Sequence, residues 1–157
     1  GERTPHADAV IRASFVGMDS SHCKKDFVRA VLEGITFSLN ESIDIFRKSG
    51  KRIDIIVSTG GGAKNDGWLQ MQADIFDAQI IKLSSEQGPG MGAAILAAYG
   101  YGWFESLQDC ASEFLNIDKE FKPIKENVQQ YRKLFEIYKD VYKQTISLNE
   151  RLVEFRK

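Results

Sequence analysis

Three consecutive glycines, Gly60, Gly61 and Gly62, followed by Ala63, Lys64 and Asn65, are the residues of this chain best suited to chemistry. They end an apolar run, Ile56-Val57-Ser58-Thr59, and precede a segment that begins like a helix. Without Cβ atoms, glycines can take positive φ and let a ligand lie against bare backbone. A helix start between Asn65 and Trp68 adds unpaired N–H groups and a partial positive charge, a surface suited to phosphate or ribose oxygens. The same residues also read as a tight strand-to-helix turn with no ligand, and a lone triple glycine does not choose between the two.

Other reactive side chains are scattered. His6 and His22 are the only histidines, and their separation fits neither a metal pair nor a base with a nucleophile, so structural roles are expected for both. Cys23 and Cys110 lack metal-ligand spacing and are too few for a disulfide framework, which suggests buried or incidental thiols in a reducing cytoplasm. Lys64 invites a phosphate role, but an exposed lysine on a turn is usually solvated, so it is left out of the site. Asp66 reads as a helix cap. Glu2 and Arg3 read either as residues facing a cleft, Arg3 toward an anion, or as a salt bridge that fixes their loop. Glu33 reads as a partner of backbone near the glycine turn or as a helix-packing or solvated side chain.

The elements that position these residues follow from periodicity. Residues 1–22 read as loop, with a strand over 13–18. From Lys24 to Lys48, Phe27, Val31, Ile35, Leu39 and Ile43 repeat every fourth position, predicting a long amphipathic helix closed by Ser49-Gly50, one face of which meets a sheet. Residues 53–58 are β-branched and almost continuously apolar, the pattern of an interior strand covered on both faces. A helix from Asn65 or Asp66 to Asp77 and a strand over 79–83 complete a βαβ unit with a parallel pair and a right-handed crossover. A helix over 90–102, rich in Gly and Ala, could approach the glycine turn closely or simply pack closely. A short helix lies within 103–115, a charged connector over 116–125, and a last helix over 126–156 carries the aromatic stripe Tyr131, Phe135, Tyr138 and Tyr142, expected in a core.

At 157 residues, with 43% hydrophobic and 27% charged residues and a net charge of -1, the composition is globular, one domain in length, and gives no electrostatic case for nucleic acid. No apolar run approaches the ~20 residues that span a bilayer. The amino end, Gly1-Glu2-Arg3-Thr4-Pro5-His6, has neither an initiator Met nor a signal-peptide pattern, as in a piece of a longer protein.

Four motifs in order resemble the C-terminal part of the FGGY family of carbohydrate kinases. Gly1-Glu2-Arg3-Thr4-Pro5-His6 is similar to a Gly-Glu-Arg-x-Pro segment. Ala13 to Met18, seven residues, then Asp26 to Glu33 fit the second family signature. Ile56 to Ala63 resembles the adenosine motif shared with actin, hexokinase and Hsp70, and Glu86 to Ala94 resembles the acidic loop and Gly-Ala-Ala helix after it. The chain departs from the family at Asp8-Ala9-Val10-Ile11-Arg12-Ala13, where many relatives carry Asp-Pro-x-Ala-Arg-Gly, so its local turn there is expected to differ. The resemblance implies an α/β fold of the actin-like ATPase (ribonuclease H-like) class, with a partly parallel mixed sheet flanked by helices and a long C-terminal helix. It makes residues 1–157 the nucleotide-binding C-terminal domain, open as to whether its first strands are included, with a sugar-binding N-terminal domain and a catalytic aspartate upstream.

The resemblance further implies ATP and Mg²⁺ as cofactors of the intact protein, with an adenine nucleotide held by Gly61, Gly62 and Asn65. Backbone of the turn faces ribose or α-phosphate, the Asn65 side chain faces base or sugar, and Gly60 and Ala63 set the turn. It implies phosphorylation of D-xylulose, bound through the missing domain, or of another sugar or sugar acid such as gluconate. The fragment alone is expected to be inactive, and no metal ligand is assigned to it. A homodimer, built on apolar surface left uncovered, is the expected assembly. Two other classes were weighed: a non-catalytic nucleotide-binding or interaction module, and a Rossmann dehydrogenase, disfavoured because Gly60-Gly61-Gly62 lacks Gly-x-Gly-x-x-Gly spacing.

Overall fold

Helix α1 (Lys24–Lys48) forms where the four-residue apolar spacing predicts it. Asp26 fixes its start by accepting the Cys23 N–H at 2.7 Å, and Gly50, at φ 84, turns the chain after its end. A computed structural model describes residues 2–84 and 88–156. The chain divides into two compact units, Gly1–Ile53 with Ile124–Lys157, and Asp54–Pro123.

In the first unit α1 packs against α5 (Lys125–Arg151). Helix α5 ends before the predicted residue 156, and a short 3-10 turn, Val153–Phe155, follows. Phe37 is 3% exposed and meets the aromatic stripe of α5: ring centroids lie 6.0 Å from Tyr131, 5.8 Å from Phe135 and 5.2 Å from Tyr138. The stripe is therefore core, as its spacing suggests. On α1 the buried positions are Thr36, Phe37 and Asn40, whereas Val31, Ile35 and Leu39 of the predicted stripe are about half exposed. Glu33 serves this helix pair. Its Oε1 accepts from Arg29 Nε at 2.8 Å and from the Tyr131 hydroxyl at 2.9 Å. Burial, then the Glu33 carboxylate, push the Tyr131 hydroxyl above its ordinary pKa.

Residues 2–12 form a strap along α5. Glu2 fixes it, though not through Arg3: its Oε2 accepts the His6 and Ala7 N–H groups at 2.9 and 3.1 Å. The Tyr142 hydroxyl donates to Asp8, and the Arg12 N–H to Asn149 Oδ1. His6 stacks on Tyr142 at 3.7 Å with its Nε2 3.5 Å from Glu41, a structural use. His22 Nδ1 accepts the Asp19 N–H. The predicted strand over 13–18 does not form. Phe15, Val16 and Met18 are exposed, and apolar sequence makes a strand only where a neighbour supplies a ladder.

In the second unit the predicted β-α-β succession appears as β1 (Ile55–Ser58), a 3-10 turn (Gly61–Lys64), α2 (Asp66–Phe76) and β2 (Gln79–Leu83). Strands β1 and β2 pair in parallel, Ile55 opposite Gln79 through Ser58 opposite Lys82. Part of the predicted connector is a strand, β3 (Ile117–Phe121), antiparallel to β2. Charged residues hid it: β3 is largely exposed, so its sequence carries no apolar alternation. In the resulting order β1-β2-β3, β1 is an edge. The expectation of a strand covered on both faces is corrected, since Ile55 and Val57 are 57% and 49% exposed. The sheet buries Ile80 and α2 buries Leu69 and Ala73, each 0% exposed.

Helix α3 spans Gly88–Gly100, two residues ahead of the predicted 90–102, and α4 spans Leu107–Phe114. Ile95 and Ala98 of α3 close on Cys110 of α4, with Met91, Phe104 and Phe114 around them. Cys110 is a buried thiol and Cys23 an exposed one. Among the described residues, no helix is long and apolar enough to cross a membrane.

Candidate functional site

Parallel pairing aligns the carboxyl ends of β1 and β2 on one edge, the edge at which open α/β sheets place their ligands. The glycine turn leaves β1 there. Gly60 has φ 79 and ψ -163, a conformation open in practice only to glycine. The turn is then stitched by the Ala63 N–H to Gly60 O at 3.1 Å and the Asn65 N–H to Gly62 O at 3.3 Å, and Ala63 is buried beneath it.

The three glycines have three different reasons. Gly60 is required by its backbone angles. Gly62 has ordinary φ, yet a Cβ there would lie 2.9 Å from Cζ3 of Trp68. Gly61 has neither constraint: its φ is ordinary and a Cβ would meet nothing within 4 Å. Among the described residues nothing asks for glycine at 61, and the missing side chain leaves an open backbone surface on the turn.

Two helix starts lie beside that surface. Asn65 caps α2, its Oδ1 accepting the Trp68 N–H at 3.1 Å. The cap is thus Asn65 and not Asp66, and the Asn65 carbonyl oxygen is committed while its Nδ2 remains the group able to donate outward. Helix α3 begins close to the turn as well, since a Cβ on Gly88 would lie 3.6 Å from Thr59 Oγ1. Gly92 has nothing within 4 Å of its Cβ position, and Ala93, Ala94 and Ala97 are exposed. The small-residue face of α3 therefore does not cover the turn; its first residue approaches Thr59 instead. Glu86 and Gln87 of the motif lie outside the described residues.

Asp66 instead anchors the first turn of α2 to the sheet. It pairs with Lys82 of β2 at 3.2 Å and with Lys119 of β3, and Lys82 also reaches Asp118 at 3.4 Å. Lys119 first and Lys82 second hold the Asp66 carboxyl below the usual carboxylate range. A carboxylate already matched by two ammonium groups is a poor Mg²⁺ ligand. Among the described residues, no three His, Cys, Asp or Glu side chains are grouped to hold a metal. Lys64 is exposed on the turn. The arrangement can bind and orient an anionic ligand through N–H groups and helix ends.

Sequence reasoning located the turn and Asn65 but missed the Trp68 contact and the Asp66 clasp. The first had a signal, a large ring one helical turn after the glycines. The second had none, because β3 was not recognised.

A mixed sheet with a glycine turn at the carboxyl edge of its parallel pair, in a chain ending in a long helix, is the actin-like ATPase class of fold. The C-terminal domain model of the FGGY family of carbohydrate kinases matches residues 1–101, and the chain belongs to that family. The xylulose kinase of Bacillus subtilis (strain 168) is 59% identical over 157 residues, 100% of this chain and 32% of that protein. The ligand-bound xylulose kinase from Lactobacillus acidophilus superposes with a TM-score of 0.87 at 32% identity, covering 97% of this chain and 31% of that one. The gluconate kinase from the same organism gives a TM-score of 0.86 at 32% identity with the same coverage. The chain spans about a third of the length of these relatives.

Proposed function

We propose that this chain is the nucleotide-holding part of a cytoplasmic, ATP-dependent carbohydrate kinase that transfers the γ-phosphate of ATP to D-xylulose, giving D-xylulose 5-phosphate. Gly61 carries the reading: a glycine that no described neighbour requires, on a turn beside two helix starts, suits a ligand lying against backbone. In this reading the turn meets the ribose or α-phosphate side and Asn65 Nδ2 donates to base or sugar, with Gly60 and Ala63 shaping the turn. ATP, with Mg²⁺ on its phosphates, supplies the transferable group. The chain's own residues bind and orient, and the proton acceptor is an aspartate of the preceding part of the protein. Phosphoryl transfer depends mainly on positioning and charge, so such a half-site is expected to bind without catalysing. The 59% identity to a xylulose kinase supports D-xylulose over gluconate, because the two L. acidophilus kinases superpose almost equally well.

The test is calorimetric titration of the 157-residue chain with ATP, ADP and D-xylulose, beside Asn65→Ser. Serine keeps a capping oxygen but deletes the amide donor, so α2 is expected to stay intact while nucleotide affinity falls. Adenine nucleotides are expected to bind and D-xylulose not to. Failure of both this chain and the full-length protein to bind adenine nucleotide would overturn the reading.

The reading extends to self-association. Val31, Ile35 and Leu39 lie on α1 at one spacing and are 47%, 45% and 50% exposed, an apolar stripe suited to a second copy. A dimer is expected in size-exclusion chromatography with light scattering, and purely monomeric elution at high concentration contradicts it.

A further inference from the structure

We infer that Trp68 is the positioning residue of the nucleotide turn: the benzo edge of its indole is the surface on which Gly62 rests, and it holds the turn in the shape that leaves Gly61 open. The inference rests on the nucleotide reading above and concerns how that site keeps its form. A Cβ on Gly62 would lie 2.9 Å from Cζ3 and 3.5 Å from both Cε3 and Cη2, so the ring and the backbone of residue 62 are in direct contact. An indole is rigid and has only two side-chain torsions, so it does not yield like the end of a flexible chain.

Trp68 is itself well anchored. Its N–H is held by Asn65 Oδ1. Two residues before it, Asp66 is tied to Lys82 and Lys119, and so to β2 and β3. The ring is only partly buried, whereas its neighbour Leu69 is wholly buried, so Trp68 is not principally a core filler. The Asp66 ion pairs to the sheet, the Asn65 cap on the Trp68 N–H and the approach of the Trp68 ring to Gly62 all lie within one unit. Removing the ring takes away the surface against which residue 62 rests, so the binding-competent shape becomes one conformer among several. Affinity falls by the fraction of the population lost.

The chain contains two tryptophans, Trp68 and Trp103, so a Trp103→Phe background isolates the emission of Trp68. ADP is titrated into it by calorimetry and by fluorescence together. The expected result is a saturable change in Trp68 emission with the calorimetric Kd, and a loss of affinity on the order of tenfold in Trp68→Ala with far-UV circular dichroism unchanged. Gly62→Ala is expected to weaken ADP binding when Trp68 is present and much less when position 68 is Ala, a coupling that general destabilisation does not produce. Binding by the background chain with silent emission, unweakened Trp68→Ala and additive Gly62→Ala would overturn the role of Trp68 and leave the nucleotide reading standing. If the background chain shows no calorimetric binding, the same titrations are made in the full-length protein, and no binding there removes both. If Trp68→Ala fails to fold, Trp68→Phe and Gly62→Ala decide, and parental affinity in both overturns the inference.

Discussion

Phe37→Ala is expected to lower the stability of the helical unit by about 3–5 kcal/mol, the range for emptying a large aromatic from a closed core. Phe37 is 3% exposed and touches three rings of α5, and the Phe37–Tyr138 pair, at 5.2 Å, is the closest of these contacts. Those rings are held by a rigid helix and cannot all move into the space left. Urea denaturation followed by far-UV circular dichroism reads the loss, since α1 and α5 supply 25 and 27 helical residues. Ile35→Ala on the same helix is the control. Ile35 is 45% exposed, so the change is expected to cost about 1 kcal/mol or less. Equal losses would mean that the apolar stripe is buried as well as the Phe37 face.

That contrast marks how far sequence could be read here. The spacing of Phe27, Val31, Ile35 and Leu39 located α1 correctly, because amphipathic periodicity reports where a helix is. It does not report what covers the face: buried Thr36 and Asn40 are polar, while Val31, Ile35 and Leu39 stay half exposed. The same limit applies to β1, whose β-branched run reads as an interior strand although Ile55 and Val57 are exposed. Strand β3 was illegible for the opposite reason. Its ladder to β2 depends on backbone groups and polar side-chain pairs, among them Gln79 Nε2 donating to Glu120 Oε2 at 2.9 Å, which leave no apolar alternation.

At the site, the turn was legible because glycine run, strand and helix start coincide in a dozen residues. Asn65 stands out by its type and place, and in the structure its Oδ1 serves the helix. The Asp66 clasp joins residues 16 and 53 positions apart, and no local pattern encodes such a pairing. Glu33 shows the converse. Its sequence context left the glycine turn, helix packing and solvation open, and its partners are one helical turn away on α1 and across on α5.

Gly60→Ala and Gly61→Ala are expected to fail in opposite ways. At Gly60 the backbone stands at φ 79 and ψ -163, where a Cβ costs about 1–3 kcal/mol by strain alone. Space is not the issue, since nothing lies within 4 Å of its Cβ position. Gly60→Ala should therefore lower thermal stability and, by displacing the turn, weaken ADP binding. At Gly61 the same substitution meets neither strain nor a neighbour. Loss of glycine's freedom in the unfolded chain should leave stability unchanged or raise it by about 0.4–1 kcal/mol. Its added methyl group would stand on the open surface of the turn, where the nucleotide is proposed to lie. ADP affinity is expected to fall on the order of tenfold or more, and further in Gly61→Val. Thermal denaturation and calorimetry on the same samples separate the two effects. If Gly61→Ala and Gly61→Val both bind ADP as the parent does, the missing side chain at 61 serves no ligand, and the observation on which the proposed function rests is lost. If stability falls while affinity holds, position 61 is a structural glycine like Gly60, and the turn would have to be reread as a strand-to-helix connection that needs no ligand.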